Sequence, residues 1–194
     1  MTKFPLHCKT LALLATVAAL AATAHASILA TATYTDTLVS PGVYQYDVTL
    51  NNTGTTTIGT LWFSWIPGAG FLTATPTGVI SPTGWTDTIT NAGKAVRWTT
   101  SSDLLAPGDS LSGFEFDSTE TPAQMLLPFA GPGLGAGDPE TTSFVYIAAP
   151  LADPGFQLTA EPAAPTPEPG TLLLTLTGLG LAASSLKSRF FSRT

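Results

Sequence analysis

Tyr44-Gln45-Tyr46-Asp47-Val48-Thr49-Leu50-Asn51-Asn52-Thr53-Gly54 decides how this chain folds. Tyr44, Tyr46, Val48 and Leu50 alternate with Gln45, Asp47 and Thr49, the period of a strand with one face buried and one wet. Asn51-Asn52-Thr53-Gly54 then breaks the run with residues that tolerate tight turns. Working outward, the same alternation recurs. Leu61, Phe63 and Trp65 alternate with Trp62 and Ser64, which predicts that Phe63, Trp65 and, on another strand, Trp98 face the core. Val96 and Trp98 flank Arg97, Phe114 and Phe116 flank Glu115, and Phe144 and Tyr146 flank Val145. Ile28–Leu38, Gly84–Thr90 and Phe156–Ala160 add weaker strands.

Ser40-Pro41-Gly42, Ile66-Pro67-Gly68, Asn91-Ala92-Gly93 and Ala106-Pro107-Gly108-Asp109 separate these runs with turn chemistry that suits positive φ. One helical turn is expected at Pro122–Leu127. About eight or nine short strands at a spacing of roughly 8–12 residues predict an all-β fold, an antiparallel β-sandwich of Ig-like or jelly-roll type. It would occupy residues 27–160. The Tyr46–Gly54 stretch is similar to the strand and turn of Ig-like adhesion domains of bacterial surface proteins.

The ends read differently. Lys3 and Lys9 precede the apolar run Leu11–Ala24, and Ala24-His25-Ala26 supplies a small-x-small cleavage site, so residues 1–26 read as a secretory signal peptide cut after Ala26. Cys8 precedes the apolar run, whereas a lipoprotein cysteine follows it. At the other end, residues 161–170 form a Pro-rich linker that closes on Pro167-Glu168-Pro169-Gly170. Residues 171–194 follow as the uncharged run Thr171–Leu186 and the basic residues Lys187, Arg189 and Arg193. At ~1.5 Å per residue the run makes a helix of about 24 Å, so flanking residues must complete a membrane span. The basic cluster holds the C-terminus in the cytoplasm and leaves the rest outside. Pro167 and Pro169 keep Glu168 in an extended, accessible segment at the membrane face.

This tail resembles the PEP-CTERM sorting domain of Gram-negative bacteria. The match is carried by Pro167-Glu168-Pro169, the apolar run with Gly178 and Gly180, and the Lys187/Arg189/Arg193 cluster. The resemblance implies an exosortase partner, a membrane-embedded protease or transpeptidase that cuts near the motif, and an association with exopolysaccharide and biofilm. The expected course is export, anchoring in the inner membrane with the β-domain outside, and then release to the cell surface or beyond it.

Charge and inventory narrow the function. Among the 194 residues, Ser27 to Glu168 holds two basic residues, Lys94 and Arg97, against thirteen acidic ones, a net charge of −11. Phosphate neutralisation needs clustered Lys and Arg, so nucleic acid is excluded as a partner. Cys8, His7 and His25 all lie in the signal peptide, so the mature protein has neither thiol nor imidazole. That removes Cys–His and Ser–His–Asp catalysis and the usual zinc or copper sites, and it predicts a non-enzyme.

Two carboxylate chemistries survive. Glu115 with Asp117 and Asp138 with Glu140 are i,i+2 pairs, and neighbours on one strand do not flank a glycosidic bond from two sides. Asp103, Asp109, Asp138 and Glu140 offer oxygen ligands for a structural calcium, yet no Asp-x-Asp-x-Asp-Gly loop is present. No cofactor is expected. Sugars stack on exposed aromatic faces, and Trp62 and Trp85 are the candidates for a carbohydrate-binding β-sandwich, the alternative reading. Shared exposure of the two rings favours it; burial of both removes it. The Gly-rich stretch Pro128–Thr142 lacks the following helix that a phosphate loop needs and reads as a surface loop.

Overall fold

The computed structural model describes residues 26–128 and 137–164. Two compact units divide the chain, Met1–Ala160 and Glu161–Thr194. Of the second, only residues 161–164 are described. The expectations for Ala24, for Pro167, Glu168 and Pro169, for the helix 171–186 and for Lys187, Arg189 and Arg193 therefore lie outside the described residues, while Ala26 is exposed at their start.

Eleven strands are described: β1 (Ala30–Ser40), β2 (Val43–Asn52), β3 (Thr60–Phe63), β4 (Trp65–Ile66), β5 (Ala69–Gly70), β6 (Thr77–Ile80), β7 (Thr86–Thr90), β8 (Ala95–Thr99), β9 (Ser110–Ser118), β10 (Thr142–Tyr146) and β11 (Phe156–Pro162). Pro122–Met125 forms the one described α-helical turn, α1, where the expectation placed it. The chain is all-β as expected. Its strands, however, do not part into two hydrogen-bonded sheets. Nine join in one sheet of order β6-β9-β2-β1-β11-β10-β3-β8-β7, and β4 and β5 form a separate hairpin.

That sheet curls until its two edges almost meet. β6 and β7 are joined by a short turn in which the Ser81 hydroxyl donates to Asp87 at 2.8 Å. The Trp98 indole N–H, from β8, donates to the Ile80 carbonyl on β6 at 2.9 Å. The result is a nearly closed barrel, which leaves few open strand edges for unwanted pairing.

Alternation fills the interior as the sequence demands. Tyr34 from β1, Tyr46, Val48 and Leu50 from β2, Leu61 and Phe63 from β3, Trp98 from β8 and Phe114 and Phe116 from β9 point into one core. Tyr46 stacks on Phe116 with centroids 5.2 Å apart, and Trp98 meets Phe114 edge-on at 5.5 Å. Each such side chain contributes roughly 1.5–3 kcal/mol by leaving water. The turn after β2 is held by Asn52, only 2% exposed. Its amide donates to the Thr56 and Leu105 carbonyls at 2.8 and 3.0 Å, and its oxygen accepts from the Gly54 N–H at 3.1 Å. Polar satisfaction of this kind is what lets an amide sit in a core.

One residue breaks the alternation. Ser64 adopts φ 56°, in the left-handed region, between β3 and β4. The kink turns Trp65 away from Phe63 and onto the face that carries Trp62. Phe63 thus joins the main core, as does Trp98, while Trp65 belongs to a second cluster with Trp62, Phe144 and Tyr146 on the outer face of the sheet.

Candidate functional site

The outer cluster shows what became of the tryptophans. Cross-strand pairing sets Phe144, Trp62, Arg97 and Thr88 in a row across β10, β3, β8 and β7. The Trp65 ring lies on Trp62, centroids 3.7 Å apart and planes 3° from parallel. The Arg97 guanidinium sits 5.1 Å from the Trp62 ring centre. The Trp62 indole N–H donates to the Thr90 hydroxyl at 2.8 Å. Trp62 is 7% exposed and Trp85 5%. Trp85 packs edge-on against Phe114 at 5.1 Å and donates to the Asp103 carbonyl at 3.2 Å. Both rings have their faces covered by protein, so the sugar-stacking expectation for Trp62 and Trp85 is corrected. Trp62 is covered because the sheet has apolar packing on both faces here, with the β4–β5 hairpin laid over the outer one, and Trp85 is covered because it joins the main core.

Two grooves open beside these residues. The larger, of about 550 Å³, is lined by Thr86, Arg97, Thr99, Ser102, Leu104 and Pro150 among others. The second, of about 400 Å³, runs past Thr83, Trp85, Asp103 and Asp109. Arg97 has its Nε buried without a hydrogen-bond partner, and no carboxylate pairs with it among the described residues.

The carboxylates fall into different surroundings. Glu115 and Asp117 alternate with the buried Phe114 and Phe116 and face outward, opposite Asp47 and Gln45 of β2. Both are half-buried, and Asp117 Oδ1 is buried without a hydrogen-bond partner, so the solvated face expected from their spacing is only partly realised. Asp103 and Asp109 are exposed, and Asp138 is half-buried. Among the described residues, no three acidic side chains gather as a metal group.

Glu140 departs from its expected place. The stretch from Glu140 to Thr142 is interior, so this end of the Gly-rich segment is no surface loop; its middle, 129–136, lies outside the described residues. The partner of Glu140 is Glu120, not Asp138. Glu120 and Glu140 are 5% and 6% exposed. Adjacent residues of the segment after β5 receive them: the Thr73 hydroxyl donates to Glu140 at 2.6 Å, and the Ala74 N–H donates to Glu120. Burial raises the Glu120 carboxyl to about 8, and its hydrogen bond with Glu140 adds to the rise, against the opposing Ala74 N–H. A proton held on Glu120 keeps the site from carrying two buried charges, while Glu120 Oε2 is buried without a hydrogen-bond partner. Tyr46 ties the segment after β9 to the core by donating its hydroxyl to the Glu120 carbonyl at 2.6 Å, and burial holds that phenol protonated. Two carboxylates facing each other suggest glycoside hydrolysis. This pair is buried and lines neither of the two grooves.

No protein-family model matches the chain, and no curated protein matches it. Among solved structures, a GH20 exo-β-N-acetylglucosaminidase from Vibrio harveyi in complex with N-acetylglucosamine overlaps 72% of this chain at 12% identity and a TM-score of 0.41. The chain spans 19% of that protein. The chitin-binding domain of Chi18aC from Streptomyces coelicolor overlaps 45% of this chain and 77% of its own length, at 25% identity and a TM-score of 0.32. Overlaps this loose assign neither fold family nor activity.

Proposed function

We propose that this chain is an exported, non-catalytic surface protein, a β-domain delivered by its C-terminal sorting signal to act as a structural or interaction module. The observation that carries the reading is the sequence of the tail: Pro167-Glu168-Pro169, the uncharged run Thr171–Leu186, then Lys187, Arg189 and Arg193. An apolar run closed by basic residues orients the preceding chain outward. The Pro-flanked glutamate offers an exosortase an extended segment at the membrane face. Export removes His7, His25 and Cys8, which leaves the mature chain without the side chains that most nucleophilic and metal chemistry uses.

The domain's role in this reading is mechanical and adhesive. It contributes a barrel-like body stable without disulfides, destined for the inner membrane's outer side and then the cell surface or an extracellular polysaccharide matrix. Fractionation of the native host tests the sorting step. Wild-type protein is expected in the surface or extracellular fraction, and a Pro167→Ala, Glu168→Ala, Pro169→Ala triple variant in the inner membrane. Identical distribution of the two would end the proposal.

A further inference from the structure

We infer that the groove around Arg97 is a binding site for a largely neutral saccharide that bears an isolated carboxylate, such as a single uronic acid among uncharged sugars. The site is built from the sheet itself. Arg97 stands mid-strand on β8, and its guanidinium is steadied over Trp62, whose own ring is fixed by Trp65 on one face and by the Thr90 hydroxyl at its edge. A planar guanidinium held in this way loses little freedom when it takes a carboxylate in a two-pronged pair.

Nothing in the described residues competes for it. The domain is strongly acidic, yet no described carboxylate pairs with Arg97; its Nε is buried without a partner and closed to a ligand, which leaves the terminal nitrogens of the fork to take the carboxylate. Beside it the groove presents the hydroxyls of Thr86, Thr99 and Ser102; Thr86 donates to the Thr99 carbonyl at 3.3 Å and Ser102 to Asp103 at 2.6 Å, so these two meet sugar hydroxyls as acceptors. Leu104 and Pro150 supply apolar wall for the C–H faces of a ring. A volume of about 550 Å³ lies within the range of small-ligand sites.

The surrounding charge selects further. With −11 between Ser27 and Glu168, a polyanion is repelled as a whole. One carboxylate in a neutral chain meets the arginine without that penalty. This site does not replace the stacking platform that the buried Trp62 and Trp85 fail to provide; it uses charge and hydroxyls instead. Nor does it depend on the sorting signal, because it is a property of the folded domain.

The test is a titration of the full chain in detergent, by calorimetry and tryptophan fluorescence, with a tetrasaccharide of three neutral hexoses and one glucuronate. The controls are the same tetrasaccharide as its methyl ester, free glucuronate, and acetate. The expected result is saturable binding of the acid, weakened about tenfold or more by esterification, by added salt and by Arg97→Lys, in line with the loss of a charge-assisted pair. Because Arg97 also packs on Trp62, a second variant, Thr86→Val with Ser102→Ala, removes hydroxyls and leaves that contact intact; it is expected to weaken the tetrasaccharide while sparing glucuronate. Equal binding of acid and ester would overturn the inference. So would acetate binding as tightly as the tetrasaccharide, or a folded wild-type chain that binds none of the four probes.

Discussion

Acidification should stabilise this protein in the neutral range, and the Glu120–Glu140 pair is the reason. Glu120 has its folded pKa raised from 4.5 to about 8 by burial and by Glu140. The groups facing it are Glu140, the Ala74 N–H and, through the backbone carbonyl, Tyr46. A carboxyl that holds its proton more tightly when folded contributes stability fully present below the unfolded value, which is lost as pH rises through about 8. Across that window the loss approaches ~1.4 kcal/mol per pH unit for one proton. Relaxation of a buried pair and entry of water lower the figure, so a change of about 1–3 kcal/mol between roughly pH 5.5 and 7.5 is the working magnitude.

The assay is urea unfolding of the full chain in chelator-containing buffer at a series of pH values, for wild type and Glu120→Gln. Wild type should lose stability as pH rises. The glutamine, which carries no titrating proton, should lie flatter, and the two curves should converge at the acid end. Parallel curves would refute the reasoning that Glu120 holds its proton more tightly when folded. A wild type that gains stability with rising pH only when calcium is added would refute it differently, by showing that the pair holds a cation.

Three further substitutions probe other parts of the fold. Tyr46→Phe removes the donor to the Glu120 carbonyl and leaves that carbonyl unpaired in the interior, at a cost of about 1–3 kcal/mol by chemical denaturation. Trp65→Ala uncovers the Trp62 ring and opens a cavity under the β4–β5 hairpin; a loss of about 3–5 kcal/mol is expected, with a red-shifted tryptophan emission as Trp62 meets water. Ala92→Gly relieves an exposed alanine at φ 54° in the β7–β8 turn, and a gain of about 0.5–1 kcal/mol should appear as a raised midpoint of thermal unfolding.

Most of the fold was legible because burial and period two coincide. Tyr46, Val48, Leu50, Phe114 and Phe116 alternate with polar neighbours, and all five point into the core. The turn residues were equally informative: Asn91 and Gly93 take the positive φ their types suggested, and Ala92 between them is carried into the same region against its own preference. β6 escaped notice because four residues with Gly78 inside and prolines nearby carry too little alternation to register. Trp65 was misplaced because a single left-handed residue, Ser64, resets the phase of a strand, and a serine does not advertise that conformation. Whether the sheet stays one piece or splits in two depends on which strands pair at long range, as β10 does with β3, and local pattern is silent on that.

The candidate site was less legible than the fold. Arg97 was visible only as a polar residue between Val96 and Trp98; its lack of a counter-charge is a fact of three dimensions. Glu120 and Glu140 lie twenty residues apart, so spacing offered Asp138 as the partner instead. Trp62 was rightly placed on the face away from Phe63, but a second layer covers that face. Alternation tells which way a side chain points, not what lies on top of it.

The most direct test of the central reading is the intact mass of the mature protein from its native host, with and without the exosortase. The sorting account expects a wild-type chain that begins at Ser27 and lacks Thr171–Thr194, and a chain that keeps those residues when the exosortase is absent. A wild-type mature form still carrying Thr171–Thr194 would contradict it.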